Sequence, residues 1–203
     1  MTAGPPTRRP MHPLRRALTL WGALIAVMWL LLIADWTTPG HLTDWGIVPR
    51  DAEGLFPGLI AAPFLHVGAA HLAANMVPLA VMGTIAALRD WRACQVALAV
   101  IALASGLGVW LTSPAGTVTV GASGIVFGLF GYLLGRGVFL RRLGDIAISV
   151  ILILAYGSMI WGVLPTQSHI SWQAHLFGFI GGLAAAFALA RRQGSTAGQG
   201  SAT

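Results

Sequence analysis

Six apolar runs, at roughly residues 17–36, 71–88, 93–112, 121–139, 146–164 and 172–190, occupy most of this chain. Each is near the length of about 20 residues that a helix needs to cross a bilayer. In hydrocarbon every backbone N–H and C=O has to find its partner inside the protein, so runs of this kind fold as helices. Composition agrees, because 56% of the 203 residues are hydrophobic and only 9% are charged, against about a quarter charged in soluble domains. The expected fold class is an all-α membrane protein with six transmembrane helices. Residues 17–190 form the helical domain, and 1–16 and 191–203 read as flexible tails with too little apolar surface to repay ordering. The first run is too long for the apolar core of a signal peptide (about 7–15 residues), and reads as a retained span.

All twelve basic residues are arginine, and the net charge is +6. Arg8, Arg9, Arg15 and Arg16 precede the first run, and Arg89 and Arg92 separate the second from the third. Arg136, Arg141 and Arg142 end the fourth, and Arg191 and Arg192 follow the sixth. In an alternating six-span topology these eleven fall on one side and only Arg50 on the other. The positive-inside rule then predicts that both termini are cytoplasmic. Such dispersed arginines beside apolar spans are topology determinants, and no nucleic-acid partner is expected. The absence of lysine beside abundant alanine, glycine and arginine suggests a high-GC bacterium, and hence its plasma membrane. Cys94, the single cysteine, excludes an intrachain disulfide and a cysteine metal site, and reads as a small apolar filler.

The first outer connection, residues 37–70, is long and contains Gly54-Leu-Phe-Pro-Gly-Leu-Ile-Ala-Ala-Pro-Phe-Leu65. This stretch is too apolar for a free loop and too broken by proline to span. It is expected to lie partly embedded in the outer interface.

Polar side chains inside a membrane are costly, so each is a functional suspect. Runs 2, 4 and 6 point the same way, and each carries polar chemistry near its outer end. Run 2 has His71 and Asn75, one turn apart and on one face. Run 4 opens with Gly121-Ala-Ser-Gly124, and run 6 has His175 just inside Trp172 and Gln173. Gly124, Gly128, Gly131 and Gly135 on run 4, with Gly178, Gly182 and Ala186 on run 6, form stripes of small residues. Such stripes let helix backbones approach closely in lipid. If the two stripes face each other, Ser123 and His175 meet. Each feature alone is weak. Gly-x-Ser-Gly occurs by chance, a buried histidine can be a satisfied core residue, and His71 with Asn75 could be an interhelical clamp. Their convergence at one depth is what carries weight.

Three segments resemble the rhomboid family. Ala62-Pro-Phe-Leu-His-Val-Gly-Ala-Ala-His-Leu-Ala-Ala-Asn-Met76 looks like its loop and second-helix signature, with His66 ahead of a His71-x-x-x-Asn75. Gly121-Ala-Ser-Gly124 is similar to its nucleophile motif, and Ala174-His-Leu-Phe-Gly-Phe-Ile-Gly-Gly182 to its last helix. The resemblance covers about residues 17–190 in the correct order. It implies a six-helix intramembrane serine endopeptidase with Ser123 as nucleophile and His175 as base. No acid is placed to complete a triad, so a dyad is expected. The N–H of Ser123, the Asn75 amide and His71 are oxyanion candidates, with Gly121 and His66 as further site residues. The implied partners are single-span membrane-protein substrates and the lipid bilayer, with no metal or other cofactor. Two departures stand out. The family's Trp-Arg pair in the first loop is missing, Val48-Pro-Arg50 being the nearest basic feature. The aromatic residue one turn after the serine, often tyrosine, is Phe127.

Two other readings use the same residues: a catalytically silent rhomboid-like protein that binds membrane proteins, and a small channel or transporter. The first is disfavoured by the presence of both Ser123 and His175. The second lacks intramembrane carboxylates and broken inverted helices. Ser168 and His169 fall in Leu164–Ser171, a stretch expected to cap the site, and the fifth run is the expected lateral gate.

Overall fold

A computed structural model of the chain describes residues 11–165 and 170–199, with side chains described through Gln193. Ser168 and His169 lie outside the described residues. Six helices are long and apolar enough to span a membrane. They are α1 (Pro13–Thr37), α3 (Ala69–Arg89), α4 (Trp91–Thr112), α5 (Ser123–Leu140), the span Leu143–Val163 beginning as α6 (Leu143–Tyr156), and α7 (Trp172–Gln199). A shorter apolar helix, α2 (Ala52–Ala61), lies between α1 and α3.

Local chemistry sets the helix ends. Pro13 at the start of α1 has no N–H to leave unpaired and a φ suited to a first turn. The carboxylate of Asp90 accepts from the Ala93 N–H at 2.9 Å, separating α3 from α4 with a two-sided cap. Ser171 Oγ accepts from the Ala174 N–H at 3.3 Å and opens α7. At its other end α7 continues past the apolar run that ends near residue 190 and stays helical to Gln199. The fifth span also departs from a plain helix: α6 stops at Tyr156 and a 3-10 segment, Gly157–Val163, completes it.

α5 is the most enclosed of the six spans, and Leu143–Val163 the least. Around α5 the packing is main chain on main chain. A Cβ added to Gly178 would overlap the Gly124 carbonyl, one at Gly182 the Gly128 carbonyl, and one at Gly131 the Phe179 carbonyl. The two small-residue stripes therefore face each other, the condition under which Ser123 and His175 can meet. The wider core includes Trp21 of α1, seated against Gly83 of α3, and Ile101 of α4, seated against Gly128 of α5.

The first connection is pinned to the outer end of α4. Arg50 donates its N–H to the Trp110 carbonyl at 3.1 Å and its guanidinium to the Ser113 carbonyl at 3.0 Å. The Trp110 indole donates back to the Asp51 carbonyl at 2.9 Å. An isolated bridge between Ile47 and Thr119 ties the same connection to the strand of chain entering α5. Anchoring that a Trp-Arg pair within the loop would supply comes here from one arginine in the loop and one tryptophan in α4. Beyond the pin, α2 keeps Phe56 and Ile60 largely exposed, the surface expected of a segment lying against lipid.

Candidate active site at the start of α5

Three elements converge at the end of the bundle opposite most of the arginines. The chain approaches Ser123 through Gly121, whose φ of +123° is a conformation that residues with a Cβ rarely adopt. The Gly121 N–H donates to the Ala62 carbonyl at 2.8 Å, and the Ala122 N–H donates to His66 Nε2 at 3.3 Å. The loop before α3 thus holds the turn before the serine by two successive N–H groups. The first intrahelical bond of α5 runs from the Val126 N–H to the Ala122 carbonyl at 3.0 Å. The N–H groups of Ser123, Gly124 and Ile125 consequently have no intrahelical acceptor, and the positive end of the helix dipole lies among them.

His71 and Asn75 approach from α3. The His71 ring lies against Gly121 so closely that a Cβ there would sit 2.7 Å from Cε1 and 2.9 Å from Nε2. The Asn75 side chain is buried and donates one amide hydrogen to the His71 carbonyl at 3.1 Å, which leaves its second N–H for another acceptor. The His66 and His71 rings meet edge to face at 5.0 Å. His66 is nearly inaccessible, and burial, with His71 alongside, pushes its imidazole down to about 4. It therefore remains neutral at physiological pH, as its acceptance from Ala122 requires.

His175 comes from α7. It is buried, and its ring lies flat on Phe127 with centroids 4.0 Å apart and planes at 4°. Nδ1 is 2.8 Å from the Gly162 carbonyl oxygen. Because a carbonyl can only accept, Nδ1 carries the proton of the neutral ring and the lone pair falls on Nε2. Phe127 is one turn after Ser123 and so shares its face of α5. Next to the pair, a Cβ at Gly124 would be 3.3 Å from the Ala174 carbonyl oxygen. Ser105 of α4 donates to that same carbonyl at 3.0 Å. Ser123 and His175 are thus the chain neighbours of Gly124 and Ala174, where α5 and α7 pack main chain against main chain.

Of the residues singled out in the sequence, Ser123, His175, His71, Asn75, Gly121 and His66 all lie around this junction. Pattern reading did not find Gly162, Ser105 or Ser171. Gly162 acts through its main-chain carbonyl, which leaves no signature in residue type, and Ser105 through a hydroxyl that in sequence is one small polar residue within an apolar run. Ser171 could have been found as a capping serine before a helix. Among the described residues no cluster of histidine, cysteine or carboxylates could hold a metal ion.

A second polar cluster occupies the arginine-rich end. Asp145 at the start of α6 accepts from Arg136 Nε of α5 and Arg89 Nε of α3, each at 3.0 Å. Arg136 also donates to the Tyr132 hydroxyl at 3.1 Å. Arg136 and Asp145 are 2% and 1% exposed, so Arg136, expected from sequence to mark topology, is a buried ion-pair partner.

The family model described as the rhomboid domain matches residues 54–192. An uncharacterized protein of Mycobacterium tuberculosis is 36% identical over 173 residues, covering 81% of this chain and 72% of the relative. One of Mycobacterium leprae is 34% identical over 180 residues, covering 85% and 71% respectively. Rhomboid protease GluP of Bacillus subtilis is 34% identical over 146 residues, which is 68% of this chain and 27% of that protein. With six membrane-spanning helices, a matched domain model and these relatives, the chain is an integral membrane protein that belongs to the rhomboid family, a family of intramembrane proteases.

Proposed function

We propose that this protein is an intramembrane serine endopeptidase that cuts membrane-protein substrates with a dyad of Ser123 and His175. The observation that carries the reading is the imidazole of His175. Its Nδ1 points at a main-chain acceptor, its ring is stacked on Phe127, and the residue before it, Ala174, packs its carbonyl against Gly124, the residue after Ser123. Nε2 is left free to take the serine proton.

In the proposed reaction Ser123 Oγ attacks the scissile carbonyl as His175 Nε2 removes its proton, and the imidazolium then protonates the leaving amine. Water, activated by the same nitrogen, hydrolyses the acyl-enzyme. The negative oxygen of each tetrahedral intermediate is stabilised by the unpaired N–H groups at the start of α5, by the second N–H of Asn75 and by His71. His66 acts one step back, keeping the Gly121–Ser123 turn in place. A substrate backbone held in a helix cannot present its carbonyl to Ser123, so the implied substrates are single-span proteins whose helix unwinds near the outer face. The arginine distribution supports a site on the non-cytoplasmic side, with both termini cytoplasmic.

Labelling of the full-length protein by a fluorophosphonate probe tests the reading. Ser123 should react, and Ser123→Ala and His175→Ala should each lose the label. A folded wild type that neither labels nor cleaves a transmembrane peptide would instead favour a silent rhomboid-like binding protein.

A further inference from the structure

We propose that Gly162 is the positioning residue for His175: its carbonyl fixes the imidazole, and its missing side chain lets the ring lie flat on Phe127. The inference rests on the serine–histidine reading above. In a serine–histidine–aspartate triad a carboxylate holds Nδ1–H, sets the tautomer and aims Nε2 at the serine. Here, among the described residues, a main-chain carbonyl at 2.8 Å takes that place. Steric fit points to the same residue. A Cβ on Gly162 would fall 2.7 Å from Phe127 Cζ and 3.2 Å from His175 Nδ1, so any side chain there displaces both stacked rings. Nor does the residue belong to the α5–α7 pair that carries the dyad. It lies on the 3-10 segment Gly157–Val163, in the least enclosed of the six spans. The orientation of the base is thus governed from the neighbouring wall of the bundle.

Another glycine of that wall supplies the control. A Cβ at Gly157 would meet only Ile153 Cγ2, at an ordinary 3.7 Å. Gly162→Ala and Gly157→Ala would be compared in the full-length protein for cleavage of a transmembrane peptide. Gly162→Ala is expected to lower kcat about 100-fold with KM nearly unchanged, the scale of a misplaced catalytic group. Gly157→Ala should stay close to wild type. A third variant replaces Val163 by its α-hydroxy acid, turning the 162–163 amide into an ester. That change weakens the Gly162 carbonyl as an acceptor without adding an atom, and should lower kcat about fivefold.

The 15N resonances of histidine-labelled Ser123→Ala protein, assigned with His175→Ala, give a readout independent of turnover. The ester should shift the protonated Nδ1 signal of His175. Equal losses in the two alanine variants, an unchanged rate in Gly162→Ala, or an ester that moves neither kcat nor the Nδ1 signal would overturn the proposal. A wild type that fails to label with fluorophosphonate would defeat the dyad reading instead, while the Nδ1 signal would still test the role of Gly162.

Discussion

The two ends of the bundle solve the problem of polar groups in a membrane in opposite ways. At the arginine-rich end the polarity is ionic: Asp145 receives two guanidinium groups, and Arg136 adds the Tyr132 hydroxyl. At the serine end it consists of hydrogen bonds between histidines, an amide, hydroxyls and main-chain groups. A buried ion pair ties helices together, but it costs several kcal/mol when one partner is lost. Neutral imidazoles and unpaired N–H groups contribute less to cohesion, and they remain available to a reacting substrate. The ionic contacts lie where no chemistry is proposed, and the groups at the serine end are ones that a reacting substrate can use.

Substitutions that separate activity from stability test this contrast. Ser123→Ala should have the largest effect on activity, removing it down to background, since losing a catalytic serine can cost about a million-fold. Its thermal stability should match wild type, and a folded protein with residual cleavage above background would end the nucleophile assignment. Asp145→Asn should act the other way. With Arg136 left buried and without its carboxylate, the loss is about 3–5 kcal/mol, read as a lower unfolding midpoint in detergent. Fluorophosphonate labelling of the protein that remains folded should be nearly unchanged. A large drop in labelling would show that the two ends are coupled, and would break the comparison.

Asn75→Ala should slow turnover by about 100- to 1,000-fold without abolishing it, as expected for one oxyanion donor. Residual activity equal to that of Ser123→Ala would refute this division of roles. The smallest effect concerns acid. His66 has its pKa lowered to about 4 by burial, against an ordinary value near 6.5. The unfolded chain therefore binds this proton more readily than the folded one, and the contribution of His66 to stability is complete above about pH 6.5. It is lost progressively as pH falls toward 4. Unfolding midpoints followed from pH 7 to 4 should decline less steeply in His66→Gln, and an unchanged slope would remove His66 as a source of acid sensitivity.

Much of this architecture is legible before any coordinates. The helices are, because hydrocarbon leaves the backbone no other way to satisfy its bonds. The facing of α5 and α7 is also legible, because glycine at helical spacing has few other uses in lipid. The break at Gly157 is not, since the apolar run continues through it. Arg136 and Asp145 are nine residues apart in sequence, and their charges suit a membrane surface as well as a buried pair. Only the packing of α3, α5 and α6 shows which applies. Trp110 reads as one of several aromatics near helix ends, and the indole bond to Asp51 that makes it an anchor depends on how the loop folds back. Gly162 is the clearest case. Its contribution is a carbonyl oxygen, which every residue possesses, so residue identity reveals at most that a side chain is missing.

The contact of Gly124 with Gly178, and of Gly128 with Gly182, has a consequence for heat. Leucine side chains at an interface exchange rotamers as temperature rises, and the distance between their helices becomes a distribution. Two main chains in direct contact have no rotamers to exchange. The gap beside Ser123 and His175 is set by atoms of the backbone itself, and it should behave as a fixed gauge, keeping its width on warming until the helices part altogether.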